Sequence, residues 1–273
     1  ILVNGKLIPF PDGLMFLVPT QILPTAWSPL FSARSKLRML RELFFRQRKS
    51  SNDESVASFI ERHYGREMIV RLADPLLAGV YGGEASQLSV RAVLPRFLDM
   101  ESKHGSLGRA MISSRRKAAK FGNDARNPIF TSLRNGMQQL VDAIENQLPS
   151  SSVRAETPVR SIQRTAAAWE VAFSHGTETF DGLILALPSY RAGALLRAAD
   201  NQLADALESI VYSSSITVVL GYGQDVRSSL PPGFGFLVPH TEGKQILAAT
   251  FVHNKFPYRA PPGRALLRCF LGG

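Results

Sequence analysis

The 273 residues carry 32 lysines and arginines against 22 aspartates and glutamates, a formal charge of +10. With 45% hydrophobic and 20% charged residues the chain reads as globular rather than disordered, long enough for one large or two ordinary domains. No apolar run is long enough to span a bilayer, and the single cysteine, Cys269, excludes an internal disulfide and fits a reducing compartment.

The opening Ile1-Leu-Val-Asn-Gly5 shows no signal-peptide pattern, and the chain reads as an internal piece that starts inside a strand and turn. Residues 1–10 predict two strands about Asn4-Gly5. Residues 11–33 are rich in Pro, Gly and Ser. A helix is expected over Ser35–Lys49, with Leu37, Leu40, Leu43 and Phe44 at helical spacing among Arg34, Lys36, Arg38 and Arg41. Such a basic amphipathic helix either lies on a membrane or shows a solvated face above a core stripe. A second basic cluster runs from Arg109 to Arg126. Neither cluster carries a nucleic-acid-binding motif or interleaved stacking aromatics, which argues against nucleic acid.

Asp53-Glu54-Ser55 predicts a helix start and Gly65 its stop. Glu67–Leu72 begins a helix running towards Pro75, and Leu76–Gly83 follows as an apolar, glycine-bearing stretch. Leu88–Lys103 reads as a helix with Pro95 inside it or at a break. Arg134-Asn135-Gly136 is a turn, and Met137–Gln147 is a helix with Met137, Leu140, Val141, Ile144 and Leu148 on one face. After Pro149 the pattern shortens. Residues 153–155, Val159–Thr165, Trp169–Phe173 and Thr177–Phe180 suggest a small antiparallel sheet. Gly182–Ala186 reads as a buried strand. Helices follow at Ser189–Leu196 and Leu203–Ile210, then strand-like runs at Ile216–Tyr222, Ile246–Val252 and Ala265–Leu271. This segregation argues α+β rather than regular βαβ alternation.

Between the first two of those runs stands Gly233-Phe-Gly-Phe-Leu-Val-Pro239. It is either a hairpin turn on a core or an aromatic wall beside a flat, apolar ligand. His63, His104, His175, His240 and His253 are scattered, so no metal site is expected. There is no G-x-S-x-G elbow and no P-loop, and Gly221-Tyr-Gly223 lacks the rest of a dinucleotide fingerprint. Asp53-Glu54 is a cap with its first-turn acid. With no general base, nucleophile or metal in view, either the chain is not an enzyme or a cofactor carries the reactive atoms.

Several segments together carry a resemblance: Asp53–Val56 with Phe59 and Arg62; Asp74-Pro-Leu-Leu-Ala-Gly-Val-Tyr-Gly-Gly83 with Leu88-Ser89 and Pro95; Glu101 with Gly105-Ser106; Asn135–Leu140; Thr157–Ile162; Ala186-Leu-Pro188; Gly233–Pro239; and Phe270-Leu-Gly-Gly273. Their order resembles the central part of oxygen-dependent protoporphyrinogen oxidases of the HemY type, FAD enzymes of the amine-oxidase-like superfamily. The resemblance implies a helical, membrane-associated, cavity-forming region at 1–148, a middle strip of the FAD domain at 149–200 and a substrate-binding mixed sheet at 201–273. It places Val159, Ala186, Leu187 and Pro188 on FAD. It places Phe234, Gly235 and Leu237 on the tetrapyrrole, with Phe251 and Phe270 as looser wall positions and Gly79 and Gly82 in a loop approaching the cavity. No residue of this chain takes a catalytic proton in that picture. The implied partners are protoporphyrinogen IX or coproporphyrinogen III, O2 and a membrane surface on the cytoplasmic side, with no nucleic acid; a homodimer is left open.

The Rossmann fingerprint, the propionate-pairing arginine expected just before Ile1 and the C-terminal flavin segment are expected outside the chain, so the piece alone should not turn over. Two other readings stay open: a related FAD-dependent amine oxidase or desaturase, and a non-enzymatic basic membrane-binding module.

Overall fold

Asn4 and Gly5, with φ of 51° and 73°, supply the left-handed pair that a two-residue hairpin needs. They join β1 (Leu2–Val3) to antiparallel β2 (Lys6–Leu7), as the sequence predicts. The structure, a computed structural model, describes residues 1–11, 14–15, 18–19, 25, 27–46, 53–120 and 131–272. It divides into two compact units, Ile1–Asn123 with Ser213–Gly273, and Asp124–Tyr212. The boundaries 1–148, 149–200 and 201–273 expected from the resemblance divide roles instead, and the units are cut at other points.

In the first unit, β3 (Leu14–Met15) and β4 (Val18–Pro19) form a second hairpin. The helix Ala33–Glu42 starts at Ser32, whose Oγ accepts the Ser35 N–H at 3.3 Å. It is shorter than the expected Ser35–Lys49; residues 47–49 lie outside the described ones. Its apolar stripe does not cover a core. Leu37 is 60% exposed and Phe44 83%, whereas Ser35, Met39 and Glu42 point inward.

The helix Val56–Tyr64 opens on the Ser55 cap and stops at Gly65 (φ 93°), where the sequence placed its ends. Arg66–Met68 then leads through a π-helical turn, Ile69–Ala73, into the helix Asp74–Tyr81, which Gly82 ends in the left-handed conformation. The sequence reading stopped short here, taking Pro75 as a limit. The chain passes it because the widened turn bonds the Asp74 N–H to the Ile69 carbonyl. Pro75 then falls in the first turn of a new helical segment, where its missing N–H costs nothing. Val90–Val93 and Pro95–His104 are parted at Leu94 (φ −128°, ψ 47°), which leaves the helical region that a following proline disfavours.

Phe59, Ile60, Tyr64, Met68, Leu72, Leu77 and Leu107 are at most 1% exposed and form the core of these helices. Glu42 is buried beside it. Its carboxylate accepts the N–H groups of Leu107 (2.7 Å) and Gly108 (3.1 Å) and the Ser106 hydroxyl (2.9 Å). It thereby ties the positive end of the helix Leu107–Lys120 to the end of Ala33–Glu42.

The second unit holds the antiparallel meander β5 (Ser161–Arg164), β6 (Trp169–Phe173) and β7 (Gly176–Phe180). Ile162, Val171 and Leu196 make its small core. Residues 153–155 form no strand. The helices Ser189–Leu196 and Asn201–Glu208 cross at Gly193, where an added Cβ would lie 3.0 Å from the Ala204 carbonyl oxygen. Gln138–Glu145 has no buried residue, so its predicted apolar face is exposed rather than packed. Gly182–Ala186 is not a strand either, and Ile184 is 93% exposed. A buried strand needs neighbours to accept its ladder, and among the described residues no strand pairs with this run.

The first unit is completed by an antiparallel sheet of β8 (Ser215–Tyr222), β9 (Gly235–Leu237), β10 (Ile246–Phe251) and β11 (Ala265–Gly272), in the order β8-β11-β10-β9. All three long runs of the sequence reading are present. The Gly233–Pro239 motif is the edge strand β9 with its flanks, not only a turn.

Candidate functional site

Register decides which residues of this sheet can share a surface. Leu237 pairs with Ala248, and Ala248 with Phe270; Gly235 pairs with Thr250, and Thr250 with Arg268. Across to β8, Phe270 pairs with Thr217 and Arg268 with Val219. Because side chains alternate along a strand and directly opposed residues share a face, Leu237, Phe270, Thr250 and Arg268 stand on one face beside Gly235. Phe236, Ala249, Phe251, Leu267 and Cys269 stand on the reverse.

Both faces are partly open, with Ala248 buried on the first and Phe236, Leu267 and Cys269 half-buried on the reverse, but the two most deeply buried residues lie on the reverse. On the reverse, Phe251 is 1% and Ala249 3% exposed, and Phe251 meets the Phe236 ring edge-on with centroids 6.1 Å apart. On the first face Leu237, Thr250, Arg268 and Phe270 are half-buried, and Leu237 reaches the helical core at its edge. The structure therefore brings together Gly235, Leu237 and Phe270 of the sequence-predicted set and puts Phe251 behind them. Phe234 is 67% exposed, and its carbonyl accepts the Phe251 N–H at 2.8 Å. Gly235 has φ 143°, and a Cβ there would lie 2.1 Å from the Ala249 carbonyl oxygen. Only glycine lets β9 lie this close to β10.

Gly79 is exposed on the helix Asp74–Tyr81, and Gly82 at its end lines a cavity of which Gly79 is not part. The cavity, about 440 Å³, lies between the helices and the β9–β10 end of the sheet and includes Val70, Asp74, Ala78, Val238 and His240. Burial raises the Asp74 carboxyl above its ordinary range, although its Oδ1 accepts the Ala85 N–H at 3.1 Å.

In the second unit Val159 is 38% and Leu187 47% exposed, and Ala186 and Pro188 are also exposed. Pro188 caps the helix Ser189–Leu196 with its carbonyl, which accepts the N–H groups of Arg191 (2.9 Å) and Ala192 (3.0 Å). Directly after it, the buried hydroxyl oxygen of Ser189 has no hydrogen-bond partner among the described residues. Ala186, Leu187 and Pro188 thus form an exposed stretch that leads into the buried Ser189 at the helix start.

Sequence reasoning did not single out Thr250 or Arg268. Counting by two from Phe270 along β11 would have reached Arg268, but Thr250 needed the register. Among the described residues no group of three His, Cys, Asp or Glu side chains gathers as metal ligands, and no helix is long and apolar enough to cross a membrane.

The flavin-containing amine oxidoreductase family matches residues 3–273. The coproporphyrinogen III oxidase of Bacillus subtilis (strain 168) is 30% identical over 274 residues, covering 100% of this chain and 58% of that protein. The chloroplastic protoporphyrinogen oxidase 1 of Arabidopsis thaliana is 31% identical over 296 residues, covering 100% of this chain and 53% of that protein. A solved structure from Exiguobacterium sp. 255-15, assigned as a protoporphyrinogen oxidase, superposes with a TM-score of 0.83 at 27% identity over 99% of this chain and 57% of its own. The chain thus spans little more than half the length of the curated relatives it matches. The family match over nearly all of its residues, on a fold that a solved relative shares, means that this chain belongs to the flavin-containing amine oxidoreductases.

Proposed function

We propose that this chain is the substrate-sheet part of a flavoprotein oxidase that converts protoporphyrinogen IX or coproporphyrinogen III to the porphyrin, with O2 reduced to H2O2. The observation that carries this reading is the half-open sheet face of Gly235, Leu237 and Phe270. It lies in a chain matched end to end by relatives named as porphyrinogen oxidases. A porphyrinogen is a broad, largely apolar ring, and apolar walls orient it without a tuned acid or base. FAD, when bound, supplies the hydride acceptor. Val159 and Ala186–Pro188 would hold its edge, with the strip around Ser189 giving it polar contact. In this reading the helices to residue 148 shape the cavity, 149–200 belong to the flavin domain and 201–273 bind the ring. Phe234 flanks the ring at the mouth, and Gly79 and Gly82 border the approach.

The same reading places the protein on the cytoplasmic side of a membrane. Supporting this, Leu37 (60%) and Phe44 (83%) are exposed with Arg34, Arg38 and Arg41 along an open groove of about 810 Å³, and Leu40 (41%) is exposed on the same helix. Apolar side chains can enter the headgroup layer while arginines meet anionic lipid.

The test uses the complete open reading frame, purified with FAD and mixed aerobically with chemically reduced protoporphyrinogen IX and coproporphyrinogen III. Porphyrin fluorescence should rise above the autoxidation rate. A flavin-loaded preparation that leaves both rings at the autoxidation rate overturns the reading and favours a related amine oxidase or desaturase.

A further inference from the structure

We propose that Arg268 anchors a propionate carboxylate of the ring, making it a specificity-determining contact on the sheet face of Leu237 and Phe270; this rests on the porphyrinogen reading above. Arg268 is the one charged residue in the four strands β8 to β11, whose sequences are otherwise apolar, small or neutral polar. It stands in the middle of the sheet, between Thr250 on β10 and Val219 on β8, two residues from Phe270.

Other half-buried guanidinium groups have side-chain or backbone acceptors, Arg227 for instance the Arg264 carbonyl at 2.8 Å. Arg62 has Glu54 and Glu101, Arg71 has Glu67, and even the more exposed Arg154 and Arg197 are paired. The Arg268 side chain has no hydrogen-bond or ion-pair partner among the described residues, and the four strands contain no acid to give it one. Holding a cation half out of water without a partner is unfavourable, and a ligand carboxylate removes that penalty while supplying two parallel acceptors for the planar fork. The ligand chemistry that matches is an apolar ring with carboxylates on its rim. Phe270 and Leu237 would take the ring, and Arg268 one propionate. Thr250, opposite Arg268, offers a neutral hydroxyl that neither repels the acid nor competes as a charge.

The experiment uses the complete FAD-loaded protein and its Arg268→Met and Arg268→Lys variants. Each is assayed in the same detergent with coproporphyrinogen III as the free acid and as its tetramethyl ester. With the free acid, Arg268→Met should raise KM roughly tenfold, the scale of one charge-assisted hydrogen bond. Arg268→Lys should recover part of that loss. With the ester, which has no carboxylate to pair, wild type and Arg268→Met should have the same KM, because the mutation and the esterification remove one shared interaction. Should Arg268→Met lose flavin, Arg268→Gln carries the same comparison. A wild type that oxidises the free acid while the variant's KM is unchanged, or is raised equally on acid and ester, overturns the role of Arg268 and leaves the oxidase reading intact. A flavin-loaded wild type that leaves both of these forms and protoporphyrinogen IX at the autoxidation rate overturns the oxidase reading itself.

Discussion

Arg62 and Glu101 meet through two parallel hydrogen bonds, Nη1 to Oε1 at 2.6 Å and Nη2 to Oε2 at 2.7 Å, with side chains only 15% and 5% exposed. Arg62 also reaches Glu54 at 2.7 Å, and its guanidinium lies 4.6 Å from the centroid of the Phe59 ring. Burial alone would lower the Arg62 pKa, but the hydrogen bonds of Glu101 and Glu54 outweigh it and hold the guanidinium above its ordinary value. The pair links Val56–Tyr64 to Pro95–His104, segments 39 residues apart in the chain. Glu101→Ala leaves a charge fork half-satisfied in a nearly dry site. It should destabilise the protein by about 3 kcal/mol or more, read as a lower midpoint in urea unfolding. A loss below about 1 kcal/mol would mean that the pair behaves like a surface ion pair.

Phe251 and Phe270 should separate experimentally, because the register puts them on opposite faces of one sheet. Phe251→Ala empties a site that is 1% exposed and should cost about 3–5 kcal/mol of stability. Phe270→Ala, on the half-open face, should cost less stability and raise the porphyrinogen KM several-fold. Thermal unfolding and steady-state kinetics on both variants decide this. Equal stability loss with no kinetic difference would contradict the facial assignment.

Gly235→Ala should be among the most damaging single changes in the sheet. It forces an L residue to φ 143° and drives a Cβ to 2.1 Å from a backbone oxygen, so β9 must leave β10. The expected cost is of the order of several kcal/mol. Circular dichroism and protease sensitivity would show local loss at the β9 edge. Retention of both stability and protection would contradict the close approach.

Glu67 and Asp74 should respond to acid in opposite directions. Burial would raise the Glu67 pKa, but the Ser32 and Ser35 hydrogen bonds and Arg71 hold it below the ordinary range. A depressed folded pKa contributes stability above the unfolded value, about 4.3, and that stability is lost as pH falls through the lower folded value. Asp74 is raised, chiefly by burial. Its folded state binds the proton more tightly, so its contribution is present below about 3.9 and is lost as pH rises through the higher folded value. Glu67→Gln should therefore lower stability at pH 7 with the difference closing in acid. Asp74→Asn, which keeps an acceptor for Ala85, should raise it at pH 7 and also converge in acid. Both groups are partly solvated, so each effect should be under about 1 kcal/mol. Urea midpoints across pH 3–7 check the signs; parallel curves for wild type and variants would refute them.

Punctuation and periodicity made much of this legible in the sequence. Ser55 and Gly65 bound a helix through a hydroxyl cap and a positive φ, both local effects. Pro95 marked the break between Val90–Val93 and Pro95–His104 through its local effect on Leu94. The three long runs of the last third read as strands because their apolar, partly β-branched composition is local too. Facing is a different matter. Periodicity drew the stripe of Leu37, Leu40 and Phe44 but not the side that the fold turns outward. The family resemblance grouped Phe251 with Phe270, where a one-residue change of phase reverses the face. Gly182–Ala186 has a buried strand's composition, yet composition does not supply pairing partners. The face shared by Arg268, Thr250 and Leu237 is set by registers between segments far apart in sequence, so no single window contained it.

The π-helical turn at Ile69–Ala73 acts as a phase shifter. One extra residue in a helical turn rotates everything after it by about 100° relative to an uninterrupted α-helix. That rotation aims Ala78 and Gly82 at the cavity and brings Gly82 so near Ser213 that a Cβ would sit 2.6 Å from its hydroxyl oxygen. Deleting a single residue from the turn would thus act at a distance. It would leave the composition of the helix Asp74–Tyr81 intact while swinging its glycine end away from the start of β8, so the length of this turn, more than its side chains, sets how the helix meets the sheet.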